Sequence, residues 1–162
     1  MPTPQTGLFS PDSTIRVEPA TIEDLPALVG LVMELMALQP DFTPDRRAQE
    51  RGIRLILEEP SRGRIVVLRN NDRILGMVNL LFTISTAVGG FAILMEDMVI
   101  HPDHRGQGFG SLLVEHVVKF AEAKNFRRIT LLTDKLSSQS QAFFKQHGFE
   151  FSHLIPMRRL LS

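Results

Sequence analysis

Between Asp103 and Ser111 the chain reads Asp-His-Arg-Gly-Gln-Gly-Phe-Gly-Ser, and these residue types at this spacing suit the binding of a pyrophosphate. Glycine at alternate positions lets the backbone approach a ligand with its N–H groups facing it. Phe109, Leu112, Leu113, Val117, Phe120 and Ala121 then recur at helical spacing. A helix over Gly108–Lys124 is therefore expected. Its first-turn N–H groups and the positive end of its dipole point at the glycines. The stretch Arg105, Gly106, Gln107, Gly108, Phe109, Gly110 and Ser111 is the candidate cradle, acting mainly through backbone N–H groups.

Other phosphate-binding loops fit poorly. A Walker loop needs four residues between its first glycine and Gly-Lys-Ser/Thr, and no such run occurs. The dinucleotide fingerprint needs G-x-G-x-x-G with an acidic residue about 20 positions on. From Gly106 the third glycine falls one place early, and Arg127-Arg128-Ile129-Thr130 offers no acid.

The segment before the cradle, Phe91 to Ile100, is apolar enough for a buried central strand, closed by His101-Pro102. Glu96 and Asp97 interrupt it. Carboxylates in such a setting lose hydration and need a partner or a function. Strand alternation places them on opposite faces unless a bulge intervenes. Glu96 is the candidate for attracting a cationic amine and removing its proton, directly or through water. Asp97 is read as an anchor for neighbouring backbone. His101 and His104 lack a third partner for a metal, and the chain has no cysteine, so no metal site is expected.

The spacing Arg105-x-x-Gly108-x-Gly110 follows Glu96-Asp97 and precedes Phe143-Phe144-Lys145-Gln146-His147-Gly148-Phe149. With these motifs the chain resembles the GCN5-related N-acetyltransferase (GNAT) superfamily, most strongly over Ile93–Phe149. The resemblance implies an α/β acyl-CoA N-acyltransferase fold, with a mixed six- to seven-stranded sheet covered by about four helices. It implies acetyl-CoA as cosubstrate and direct attack by a primary amine of a small molecule or peptide. It places the pantetheine arm along Met98, Val99 and Ile100. The Met98 N–H would polarise the thioester carbonyl, and Ile100 would bond the pantetheine amide. A similar Glu-Asp pair precedes the cradle in polyamine acetyltransferases; histone-acetylating members place the base two residues earlier, here Leu94. Dimers are common in the superfamily, so a homodimer is a possible assembly.

Two positions depart from the family pattern. Phe144 stands where relatives carry the tyrosine that protonates the leaving thiolate, and the chain has no tyrosine. Ser137 replaces an asparagine seven residues earlier. Both remain candidate cofactor contacts. Water or another donor can take over the protonation, the enzyme can be slower, or the protein can be a catalytically silent acyl-CoA-binding sensor or interaction module. An unrelated α/β nucleotide binder is a further alternative.

The elements that must position these residues follow from pattern. Thr14–Glu18 alternates as a first strand. Thr21-Ile22-Glu23-Asp24 reads as a capping box before a helix whose face is Leu25, Leu28, Val29, Val32, Leu35 and Met36. Thr43, followed by Pro44, is expected to cap a second helix reaching about Glu59. Its arginines, Arg46, Arg47, Arg51 and Arg54, read as a solvated face. Arg64–Arg69 and Arg73–Phe82 form a hairpin about Asn70-Asn71-Asp72. Arg128–Thr133 is a strand, Ser138–His147 a helix closed by Gly148, and Phe149–Leu161 is expected to add two short strands. The acceptor would be chosen by Leu38–Thr43 and the loop Ser85–Gly90.

Composition sets the outer limits. The chain of 162 residues is expected to hold one domain over 14–162, after a flexible tail at 1–13. Eighteen basic residues balance eighteen acidic ones, which argues against nucleic acid as partner. No apolar run approaches the ~20 residues of a membrane span, and no signal peptide is evident. A cytoplasmic location is the expectation.

Overall fold

The computed structural model describes residues 14–162; the expected tail at 1–13 lies outside them. The chain divides into two compact units, the first ending at Leu132 and the second spanning Thr133–Ser162.

The first unit is built on a five-stranded sheet in sequential order: β1 (Ile15–Pro19), β2 (Gly63–Asn70), β3 (Arg73–Ser85), β4 (Gly90–Ile100) and β5 (Ile129–Leu131). Neighbours are antiparallel from β1 to β4, and β5 joins β4 in parallel. The β2–β3 turn contains Asn71 at φ +52°, a left-handed position that asparagine tolerates. The sheet is mixed, as expected. Its five strands among the described residues correct the expected six to seven.

Three helices cover the sheet. The first, α1 (Leu25–Leu38), and the second, α2 (Arg46–Glu58), lie on one face. Leu25, Leu28, Val29, Leu31 and Val32 of α1 and Ile53 of α2 meet Ile65, Val67, Met77 and Val99 from the sheet. Each fully buried aliphatic side chain of this kind is worth about 1.5–3 kcal/mol. On the other face, α3 (Phe109–Ala123) buries Phe109, Leu113, Val114, Val117 and Ala121. Phe82 of β3 stacks there against Phe120, ring centroids 6.2 Å apart.

The start of α1 is fixed by charge. Arg69 of β2 donates to both Asp24 oxygens, at 3.1 and 2.9 Å. The Asp24 carboxylate also accepts from the Thr21 N–H at 2.9 Å, as the capping-box spacing implied. Glu18 of β1 pairs with Arg69 Nε at 2.6 Å. One guanidinium thus ties β1, β2 and the entry to α1.

The cap of α2 differs from expectation. Asp45, not Thr43, is the N-cap: its Oδ1 accepts from the N–H groups of Arg47 at 3.0 Å and Ala48 at 3.1 Å. Gln49 returns an acceptor to the Asp45 N–H at 2.6 Å. A carboxylate that satisfies two first-turn donors outcompetes a hydroxyl two residues earlier.

The second unit contains α4 (Ser138–Gln146), with Ser137 as N-cap accepting from the Ser140 N–H at 3.2 Å. Gly148 follows at φ +85°, the left-handed cap its position predicts. The two strands expected within Phe149–Leu161 do not form. Pro156 has no N–H for a ladder, and Ser152 Oγ accepts from the Leu154 N–H at 3.0 Å, a local bond that competes with strand pairing.

Candidate functional site

The site is organised by a break in β4. The Ile93 N–H donates to the carbonyl of Arg128, at the edge facing β5, at 2.9 Å. Eight residues on, the His101 N–H donates to Leu75, at the edge facing β3, at 2.7 Å. An unbroken strand sends both N–H groups to the same side. The register shows where the parity changes: Asn79 opposes Glu96 but Met77 opposes Val99, so Asp97 and Met98 together face Val78. Asp97 is left-handed, φ +49°. This is a β-bulge with Asp97 as the inserted residue.

The bulge redirects the backbone beyond it. Val99 shares the β3 edge with His101, so the backbone groups of Met98 and Ile100 face the opposite edge. There β5 pairs with β4 only from Ile93 to Met95. Met98 and Ile100 therefore present their N–H groups where the β5 ladder has already ended. The Ile100 carbonyl accepts from Arg105 Nε at 2.9 Å. Val99 is buried in the core at 4% exposure, so its side chain belongs to packing.

Glu96 is half-buried and, as the register partner of Asn79, lies on the sheet face covered by α1 and α2. Asp97 accepts from Asn79 Nδ2 at 2.7 Å. Burial pushes the Asp97 carboxyl above the ordinary carboxylate value, and the Asn79 hydrogen bond opposes that shift. The partner of Asp97 is thus a side chain of the neighbouring strand, where its sequence position suggested an anchor for backbone. Asn79 was not singled out by sequence. The available signal was one amide in the otherwise apolar run Leu75–Phe82.

After Ile100 a single 3₁₀ turn, Pro102–His104, leads into the glycines. Gly106 and Gly108 have φ of +75° and +81°. A Cβ placed at either would have no other protein atom within 4 Å, so the space beside both is open. Gly110 differs from its neighbours, lying inside the first turn of α3. Gly108 is the N-cap and has no side chain to cap the helix. The first intrahelical bond is Leu112 N–H to the Gly108 carbonyl, 3.3 Å. The N–H groups of Phe109, Gly110 and Ser111 precede it, at the end where the helix dipole is positive. Phe109 is buried and anchors the turn. Gln107 is half-buried, with its Oε1 unpartnered.

These residues fit the pyrophosphate of an acyl-CoA: two left-handed glycines, open space beside them, and a helix start without a side-chain cap. Among the described residues no cluster of three or more His, Asp or Glu is placed to hold a metal.

In the second unit Phe144 is half-buried, edge-on to Phe143 at 5.1 Å and to Phe149 at 5.9 Å between ring centroids. Ser137 spends its hydroxyl on the helix cap.

Comparison with known proteins agrees with this geometry. A model of the Acetyltransferase (GNAT) family matches residues 32–149. Over 65 residues, 38% of the chain, the sequence is 35% identical to the peptidyl-lysine N-acetyltransferase YjaB of Salmonella typhimurium. The chain spans 36 and 41% of the length of the curated relatives it matches. A possible acetyltransferase from Clostridium difficile 630 superposes with a TM-score of 0.82 at 14% identity, covering 91% of this chain and 99% of that one. A predicted acetyltransferase from Clostridium acetobutylicum, solved with acetyl-CoA, superposes with a TM-score of 0.73 at 18% identity, covering 90 and 96%. The structural likenesses show the fold, and the family match extends over the bulge, the glycine turn and α4: the chain belongs to the GNAT acetyltransferase family.

Proposed function

We infer that this protein is an acetyl-CoA-dependent N-acetyltransferase acting by direct attack on a primary amine of a small molecule or peptide. The observation that carries the reading is the bulge at Asp97–Met98. It turns two consecutive outward-facing N–H groups to the strand edge that β5 leaves, next to a glycine turn at a helix N-terminus. Acetyl-CoA supplies the acetyl group as an activated thioester.

The chain's own groups have separable tasks. The N–H groups of the glycine turn and the first turn of α3 hold the pyrophosphate. The Ile100 N–H bonds the pantetheine amide as an added strand would. The Met98 N–H donates to the carbonyl oxygen on which charge develops; losing one such donor typically costs about 3–4 kcal/mol of barrier. Glu96 attracts a cationic amine and takes its proton, directly or through water, freeing the nitrogen lone pair. The thiolate is protonated by water or a donor other than Phe144. The peptidyl-lysine activity named for the Salmonella relative supports including peptide amines among the acceptors.

A second reading, a silent acyl-CoA-binding module, is favoured by one observation: Phe144 has no proton to donate. Thiol release from acetyl-CoA, measured across polyamines, aminoglycosides, amino sugars and lysine peptides, separates the two. Amine-dependent release supports the enzyme; coenzyme A binding without any such release supports the module.

A further inference from the structure

Asn79 is 3% exposed, in the middle of β3. A buried amide costs free energy unless its polar atoms are engaged. Only half of this one is: Nδ2 donates to Asp97, while Oδ1 has no partner. A leucine has the same branched outline and no polar atom of its own to leave orphaned. Packing alone therefore gives no account of an asparagine here. Its one bond reaches the one residue of β4 with a left-handed backbone. That conformation is unfavourable for a residue with a Cβ and persists only where surrounding structure holds it.

We propose that Asn79 is a positioning residue for acyl transfer: its amide clamps Asp97 in the bulge and thereby sets the direction of the Met98 N–H. The inference rests on the acetyltransferase reading above. Asn79 acts through Asp97, not on the substrate. The 2.7 Å bond crosses between strands at the inserted residue, so it fixes the bulge against sliding along β4. It also favours the ionised Asp97 carboxylate against the burial that disfavours it. Without the clamp, Asp97 relaxes toward extended backbone and the direction of the Met98 N–H loosens, while the Arg105 bond to the Ile100 carbonyl still ties the strand beyond it.

Glycine supplies the tool for the test, because it adopts positive φ without help. Asn79→Leu is expected to lower kcat by about 10²-fold, the scale of an ångström-sized misplacement. The KM for acetyl-CoA should stay within about threefold, because the loss falls on the transition state. In an Asp97→Gly background the same change should cost less than about threefold in kcat, since the clamp is no longer needed. An equal loss in both backgrounds, or an unchanged kcat in folded Asn79→Leu, overturns the proposal.

A second readout needs no turnover. In NMR spectra of the free protein, Asp97 carbon shifts should report left-handed backbone in the parent and lose that pattern in Asn79→Leu. A pattern that survives overturns the clamp. A pattern that is lost, in a protein whose parent acetylates no amine, keeps the clamp and removes the enzyme reading. Should Asn79→Leu fail to fold, position 97 tests the same geometry. Asp97→Ala should turn over about tenfold more slowly than Asp97→Gly, as the left-handed penalty for a Cβ implies. Equal rates contradict the proposal.

Discussion

The Arg105 side chain folds back on the strand that precedes it, its Nε donating to the Ile100 carbonyl at 2.9 Å. The bond joins the last residue of β4 to the first residue of the glycine turn. It ties the end of the strand to the start of the turn.

Gly108→Val tests the turn. Gly108 sits at φ +81° with no protein atom within 4 Å of a Cβ, so the substitution meets strain rather than a clash. The strain is about 1–2 kcal/mol, small enough for the fold to survive, as circular dichroism should show. The added isopropyl group fills the space beside the turn, and calorimetric titration should show coenzyme A binding weakened several-fold or more. Unchanged affinity in the folded variant removes the cradle assignment.

Glu96→Gln tests the base. Turnover should fall by about 10²-fold or more, within the usual range for a general base, while coenzyme A affinity stays nearly constant. Preserved turnover on the true acceptor makes Glu96 structural.

Phe144→Tyr tests the missing acid. The ring is retained between Phe143 and Phe149, so packing should change little. The variant should fold, bind coenzyme A and acetylate at least as fast as the parent wherever thiolate protonation limits the rate. A parent and variant equally inactive on every amine favour the silent module.

The glycine turn, the helix behind it and the cap at Gly148 are legible because each is a local pattern of residue type and spacing, whereas Ser137, read as a cofactor contact, caps α4 with its hydroxyl. The bulge is not legible. It is a one-residue insertion, visible only once β3 supplies a register, and neither Asp97 nor Met98 advertises it. Asn79 is illegible for the same reason: its partner is 18 residues away along the chain. The strand count fails at Phe149–Leu161, where Pro156 and the Ser152 turn oppose a ladder. Thr43 misleads as a cap because the proline after it looks like a first helical residue, whereas the helix starts at Arg46.

Asp24 yields a pH prediction. Burial alone would raise its carboxyl, but the Arg69 hydrogen bonds and charge and the Thr21 N–H outweigh it and hold the pKa below the ordinary 3.8. A lowered folded-state pKa contributes stability above the unfolded value, lost as pH falls through the folded one. In urea titrations Asp24→Asn should therefore be less stable than the parent at neutral pH. The difference should shrink in acid, below 3.8. A difference that stays constant or grows in acid contradicts the ion-pair account.

The most direct test of the central claim is a crystal structure with coenzyme A bound. It should place the pantetheine arm against the backbone of Met98–Ile100, on the edge beyond the β5 ladder. The pyrophosphate should lie on the turn from Arg105 to Ser111, within hydrogen-bond reach of its N–H groups. Coenzyme A bound elsewhere, or a strand edge at Met98–Ile100 already closed by the protein's own backbone, would contradict the account.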